Sequence, residues 1–137
     1  MQRRLTKQRS QILEIVKSAC YHPTAEQVHT LAKRPIHGIS VGTVYRNLDL
    51  LTADGLLRKI DIPGEPARYD ADLKPKAYFV SRPNGTIYDI PLPSDFLPKT
   101  LGKQAVIGRI DDFSLVVFGE AKASAAERKN RKGQLKQ

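Results

Sequence analysis

The sequence contains no tryptophan, and its only cysteine is Cys20. One thiol excludes an internal disulfide and any metal cage built from cysteines alone, so Cys20 reads as a small buried hydrophobe at a helix end. No stretch approaches the ~18 apolar residues of a membrane-spanning helix. The N-terminal MQRRLTKQRSQILEIV lacks the apolar run and small-residue cleavage site of a secretory signal. A cytoplasmic protein with no membrane partner is the expectation. Three histidines and the single cysteine form no grouping that suggests a nucleophile and its base, so no enzyme is expected. Internal repeats and low-complexity core segments are also missing.

Acidic residues are scarce: 14 Asp and Glu stand against 23 Lys and Arg, a formal charge of +9 over 137 residues. Such an excess suits a phosphate-binding surface, though anionic membranes and acidic proteins would also accept it. The length fits one ordinary domain or two small ones. A unit of roughly 60 residues buries proportionately little surface, so two halves would need each other or a second subunit.

Thr6 can cap a helix that buries Ile12, Leu13 and Val16 and stops before His22-Pro23. Thr24 to Gln27 reads as a capping box for a short second helix burying Ala25, Val28, Leu31 and Ala32. Ser40 is an N-cap for a third helix over Val41 to Ala53, ended at Gly55. Its apolar stripe is Val44, Leu48 and Leu51. Thr43, Tyr45, Arg46, Asn47 and Asp49 fall on or beside the other face, rich in groups that can touch base edges and phosphates. Strands over Leu56 to Ile62 and Ala67 to Ala71 flank the turn Pro63-Gly64-Glu65-Pro66, completing a winged helix.

Beyond residue 72 the pattern changes to alternation. Strands over Ala77 to Ser81 and Thr86 to Ile90 flank Asn84-Gly85, which favours a type I′ hairpin turn. Ser94 is expected to cap a helix through Phe96, Leu97 and Leu101, followed by strands at Ala105 to Ile110 and Ser114 to Phe118. The expected class is α+β: a winged helix-turn-helix over 1–72, a linker at 73–76, and a small α/β dimerisation domain over 77–120. A basic tail, 121–137, follows. One helix cannot cover such a sheet and its edges, so a second copy is expected to do so.

The runs His22-Pro23-Thr24-Ala25-Glu26-Gln27-Val28 and Ser40-Val41-Gly42-Thr43-Val44-Tyr45-Arg46-Asn47-Leu48-Asp49-Leu50-Leu51, with Gly55-Leu56, resemble the ferric uptake regulator family. Arg4 to Arg9 and Ala67-Arg68-Tyr69-Asp70 fit the same pattern. The resemblance is dense to residue 72 and traceable to about Glu120. It implies a dimeric regulator, a repressor by preference, that reads A·T-rich inverted repeats in double-stranded DNA. Its third helix would enter the major groove, Tyr45 packing on thymine methyls. The DNA-binding set so implied is Arg4, Lys7, Arg9, Ser40, Thr43, Tyr45, Arg46 and Asn47. Plainer readings are core packing for Tyr45 and a solvated face for the basic residues.

The chain departs from the family where metals are held. Ser81 and Asn84 occupy the positions of one cysteine pair, Ala121 and Ser124 lie at or near the second, and Phe113 stands where a histidine is expected. Structural zinc needs four thiolate or imidazole donors, so no such site is expected. The family's regulatory site would map onto His22, Asp70, Lys76, Tyr78 and Asp89, with an ammonium and a phenol at two ligand positions. No metal cofactor is therefore expected. Lys76 either points into solvent or places a permanent charge between Asp70 and Asp89, doing constantly what a metal does reversibly. A second functional reading is an interaction protein that heterodimerises with an intact family member.

Overall fold

The structure, a computed structural model, describes residues 4–19 and 21–125. The expectations for Cys20 and for the end of the basic tail lie outside the described residues. The chain divides into two units, the first running through Leu73 and the second starting at Lys74. Among the described residues no helix is long and apolar enough to cross a membrane.

The first unit is built from capped helices. Helix α1 spans Lys7–Ser18, with the Thr6 hydroxyl accepting from the Arg9 N–H; α2 spans Ala25–Ala32 behind a complete Thr24/Gln27 capping box. Helix α3 spans Val41–Ala53, and Ser40 accepts from the Thr43 N–H. Each cap satisfies amide donors that a helix start leaves orphaned, and each contributes about 1 kcal/mol. Ile12, Leu13, Val16, Ala25, Val28, Val44, Leu48 and Leu51 interlock in one core with Leu57 and Tyr69. Truncating a residue as buried as Leu48 to alanine would cost about 2–5 kcal/mol.

Leu31 is the exception in α2: it is 45% exposed, while Ala32 is fully buried. From Val28, a step of four residues rotates 40° round the helix and a step of three rotates 60° the other way, so Ala32 lies nearer the centre of a narrow buried face.

The wing is shorter than its alternation suggests. Strand β1, Arg58–Ile60, pairs antiparallel with β2, Arg68–Asp70, in register Lys59 to Tyr69. The Glu65 N–H donates to the Ile62 carbonyl in the turn between them. Strand β2 is tied back to the segment before α2, since the Tyr69 N–H donates to the Pro23 carbonyl and Arg68 Nε donates to the carbonyl of His22. Burial lowers the pKa of Arg68 from the ordinary guanidinium range, against the opposing influence of Glu65 and Tyr21.

The second unit centres on strand β3, Lys76–Ser81, which carries β4, Ile87–Pro91, antiparallel on one side. On its other side lies β5, Val116–Gly119, parallel to it, giving the order β4-β3-β5. The β3–β4 loop is not a type I′ turn. Four residues, Arg82 to Gly85, separate Ser81 from Thr86, and only Gly85 takes positive φ (69°). The Gly85 N–H closes the loop onto the Ser81 carbonyl at 2.7 Å. Pro83 fixes a negative φ within it, which suits the four-residue loops built round a type I turn.

Helix α4, Phe96–Leu101, starts at Asp95 rather than Ser94. Pro98 explains the shift. With Ser94 as cap, the first intrahelical bond would need an N–H that proline lacks; with Asp95 as cap, Pro98 falls in the first turn and Lys99 donates that bond to Asp95 at 3.0 Å. Residues 105–110 form no strand. They turn beneath α4, where Ile107 and Ile110 line a cavity of about 400 Å³ with Phe96, Leu97 and Phe113. Ile107 and Ile110, three residues apart, serve this lining instead of a ladder, while Val106 is 93% exposed.

Candidate DNA interface and candidate metal centre

Helix α3 projects a mixed polar face. Val44, Leu48 and Leu51 anchor it in the core, leaving Tyr45 42% exposed, with Arg46 and Asp49 exposed and Thr43 half-buried. Core packing is thereby excluded for Tyr45. Its phenol and the adjacent guanidinium stand on the first two turns of α3, behind a start where Ser40 and Thr43 share a hydroxyl contact of 2.9 Å. Arg4 and Lys7 are exposed at the entry to α1.

Asn47 corrects the expectation for this face, being 5% exposed. Helical spacing accounts for it: position 47 follows Val44 by three and precedes Leu51 by four, which places it on the buried stripe. Its amide is engaged there. Nδ2 donates to the Thr43 carbonyl at 2.9 Å and to Gln8 Oε1 at 3.3 Å, and Oδ1 accepts from Arg9 Nε at 3.3 Å. Arg9 also donates from Nη1 to the Arg4 carbonyl at 3.1 Å. Gln8 was not anticipated in this joint, although it precedes buried Ile12 by one helical repeat of four.

The residues that the family pattern assigns to metal fall in both units. In the first, His22 and Asp70 are both buried, Nε2 lying 4.0 Å from Oδ2. An imidazole and a carboxylate are donor groups of the right kind for a divalent cation. In the second, Tyr78 is buried opposite Asp89 in the β3–β4 register. Lys76 is 4% exposed, its Nζ 3.4 Å from Asp89 Oδ2 and 5.9 Å from the centre of the Tyr78 ring. Lys76 therefore does not point into solvent. This part of the set does not fit a divalent metal, because an ammonium has no lone pair to give and repels a second cation.

The positions of the missing cysteine pair do not fit zinc either. Ser81 lies buried at the end of β3, bonded through its backbone to Thr86 and Gly85; Asn84 is exposed, and its side-chain oxygen accepts from the Thr86 N–H. An alcohol and a turn-forming amide replace two thiolates. Phe113 contributes a ring to the wall of the cavity under α4.

A model of the ferric uptake regulator family matches residues 1–96. The chain is 29% identical over 116 residues to the peroxide operon regulator of Bacillus subtilis, a match spanning 85% of this chain and 80% of that protein. It is 28% identical over 90 residues to the peroxide-responsive repressor PerR of Staphylococcus aureus, spanning 66% of this chain and 61% of that protein. Among solved structures, it is similar to the Campylobacter jejuni peroxide stress regulator, with a TM-score of 0.69 at 24% identity over 84% of this chain and 86% of that one. A ferric uptake regulator from Pseudomonas aeruginosa, solved with manganese, gives a TM-score of 0.70 at 23% identity over 87% and 90% of the two chains. The structural likeness establishes the fold, a winged helix followed by a small α/β unit. With the family model covering well over half its length, the chain belongs to the ferric uptake regulator family, a family of DNA-binding transcription regulators and not of enzymes.

Proposed function

We propose that the protein is a cytoplasmic homodimeric repressor that binds A·T-rich inverted repeats and needs no metal to do so. The observation that carries the metal-free reading is the buried Lys76 ammonium beside Asp89. A fixed cation next to a carboxylate of the regulatory set supplies charge that relatives would take from a metal. One similar structure was solved with manganese, whereas this chain sets an ammonium and a phenol at two positions of the regulatory set.

For DNA, the support is the exposed Tyr45-Arg46 pair on α3. In this reading α3 lies in the major groove, Tyr45 packs against thymine methyls, and Thr43 and Arg46 contact base edges and phosphates. Arg4, Lys7 and Arg9 reach phosphates or a narrowed A·T-rich minor groove, and Ser40 fixes the start of the reading helix. Two copies related by a two-fold axis present two such helices, so the operator is an inverted repeat with half-sites spaced by a whole number of helical turns.

The test is selection of bound sequences from a random duplex library by EDTA-treated protein, with and without added divalent metals, and elemental analysis of the same sample. An A·T-rich palindrome selected in EDTA and unaffected by metal is the expected result. Selection only after metal is added would return His22, Asp70 and Asp89 to the sensing role the family pattern gives them. Failure of the pure protein to select any palindrome would favour a partner that works by heterodimerising with another family member.

A further inference from the structure

The Asn47 amide is oriented by chemistry that leaves one arrangement. The Thr43 carbonyl is an acceptor only, so the nitrogen of the Asn47 amide must face it, with Gln8 Oε1 taking the second proton. The amide oxygen then faces away from that carbonyl, and Arg9 Nε donates to it at 3.3 Å. Turning the amide over would set its oxygen against the Thr43 carbonyl and its nitrogen against the Nε–H of Arg9, losing both bonds. The guanidinium held in this way donates from Nη1 to the Arg4 carbonyl at 3.1 Å, which ties down the backbone of the arm before α1.

From this chain of contacts we infer that Asn47 is a positioning residue: it presets Arg9, and through Arg9 the arm at Arg4, in the orientation in which they meet DNA. The inference rests on the reading above in which Arg9 and the arm touch the duplex. Arginine loses much side-chain freedom when it is fixed on a phosphate. Holding its Nε edge from behind, within a core-facing joint between α1 and α3, settles that ordering before DNA arrives. It also couples the helix that carries Tyr45 to the arm, so that the two contact regions keep one spacing.

The experiment is a double-mutant cycle on the full chain, reading affinity for the selected palindrome by fluorescence anisotropy over a range of salt concentrations, with the melting temperature of each variant as a control. R9A is expected to weaken binding and to flatten the salt dependence, because phosphate contacts are lost. N47A is expected to weaken binding about five- to tenfold in the wild-type background, the effect of releasing one long side chain per arm. The same substitution is expected to change affinity less than twofold in the R9A background. A purely structural role for Asn47 would lower the melting temperature and carry its full affinity penalty into the R9A background, which overturns the inference. Unchanged binding by R9A would overturn the DNA reading of the arm itself, and this inference with it. Should N47A fail to fold, the wild-type protein free of DNA gives the second test by NMR. A slowly exchanging, restrained Arg9 Nε–H is expected, and a freely rotating one overturns the proposal.

Discussion

Lys76 and Asp89 meet diagonally across the β3–β4 pair, with Nζ 3.4 Å from Oδ2, because the register sets Asp89 opposite Tyr78, two residues along from Lys76 on the same face. The Lys76 side chain is 4% exposed and that of Asp89 41%, so the carboxylate keeps part of its hydration when the pair is broken. Replacing Lys76 by methionine keeps most of the stem and removes the charge. We expect Lys76→Met to lower stability by only about 1 kcal/mol in urea denaturation, the discounted worth of a half-hydrated pair. Binding to the palindrome in EDTA is expected to fall about tenfold. Undiminished binding would leave Lys76 as a packing residue and show that its charge does not stand in for a metal.

Tyr45 and Arg46 separate function from stability. Both lie on the exposed side of α3, away from the Val44, Leu48 and Leu51 stripe. Tyr45→Ala and Arg46→Ala should each alter unfolding free energy by about 0.5 kcal/mol or less, as is usual for exposed positions. Their effects on DNA should differ in kind. Losing the phenol should cost discrimination between A·T-rich and scrambled sites, while losing the guanidinium should weaken both and reduce the salt slope by about one per subunit. Equal loss on both sites for Tyr45→Ala would argue against a methyl contact.

The first unit was largely legible because its determinants are local. Thr6, Thr24 and Ser40 are cap residues immediately before periodic apolar segments, and α3 begins and ends where its cap and Gly55 set it. The polarity of Asn47 suggests the exposed face, whereas its spacing from Val44 and Leu51 places it on the buried one. The second unit is governed by long-range choices. Parallel pairing of β3 with β5 joins segments more than thirty residues apart and leaves no short-range signal. The apolar residues of 105–110 are compatible with a strand and with a chain lining a cavity, and only the arrangement of α4 and Phe113 decides between them. At the metal positions the absence of thiolates could be read directly. Whether Lys76 is solvated or placed beside Asp89 could not be decided from sequence, since a lone lysine is ordinarily solvated.

Tyr69 gives the protein an alkaline limit. Its ring is 1% exposed, and burial, followed by the charges of Asp49, Tyr45 and Asp61, raises the phenol pKa from 10.0 to about 12. A folded-state pKa above the unfolded value stabilises the fold fully below pH 10 and loses that contribution as pH rises through about 12. Stability should therefore not vary with pH through this residue near neutrality and should fall between these values. The check is the urea midpoint against pH for wild type and Tyr69→Phe. The difference between the two proteins should be constant to pH 10 and then shift in favour of the variant; parallel curves up to pH 12 would show that the phenol ionises as freely as in the unfolded chain.

Gly55 is the stop signal of the reading helix, and its cost can be isolated. It follows the Asp54 cap with φ of 75°, its N–H donating to the Thr52 carbonyl and the Leu56 N–H to that of Leu51, the two bonds of a Schellman ending. A Cβ placed there meets nothing within 4 Å, so any penalty for alanine comes from the backbone conformation and not from a clash. Gly55→Ala should lower unfolding free energy by about 1–2 kcal/mol with an unchanged denaturant slope. Gly55→Asn should cost less, since asparagine tolerates the left-handed region. Both variants should bind the palindrome within twofold of wild type where they are folded, because the α3 residues proposed to meet DNA lie on its first two turns and the others lie on the arm and α1. An alanine variant as stable as wild type would mean that the helix can end in another way, and a folded variant with impaired binding would mean that this end of α3 sets the position of Tyr45.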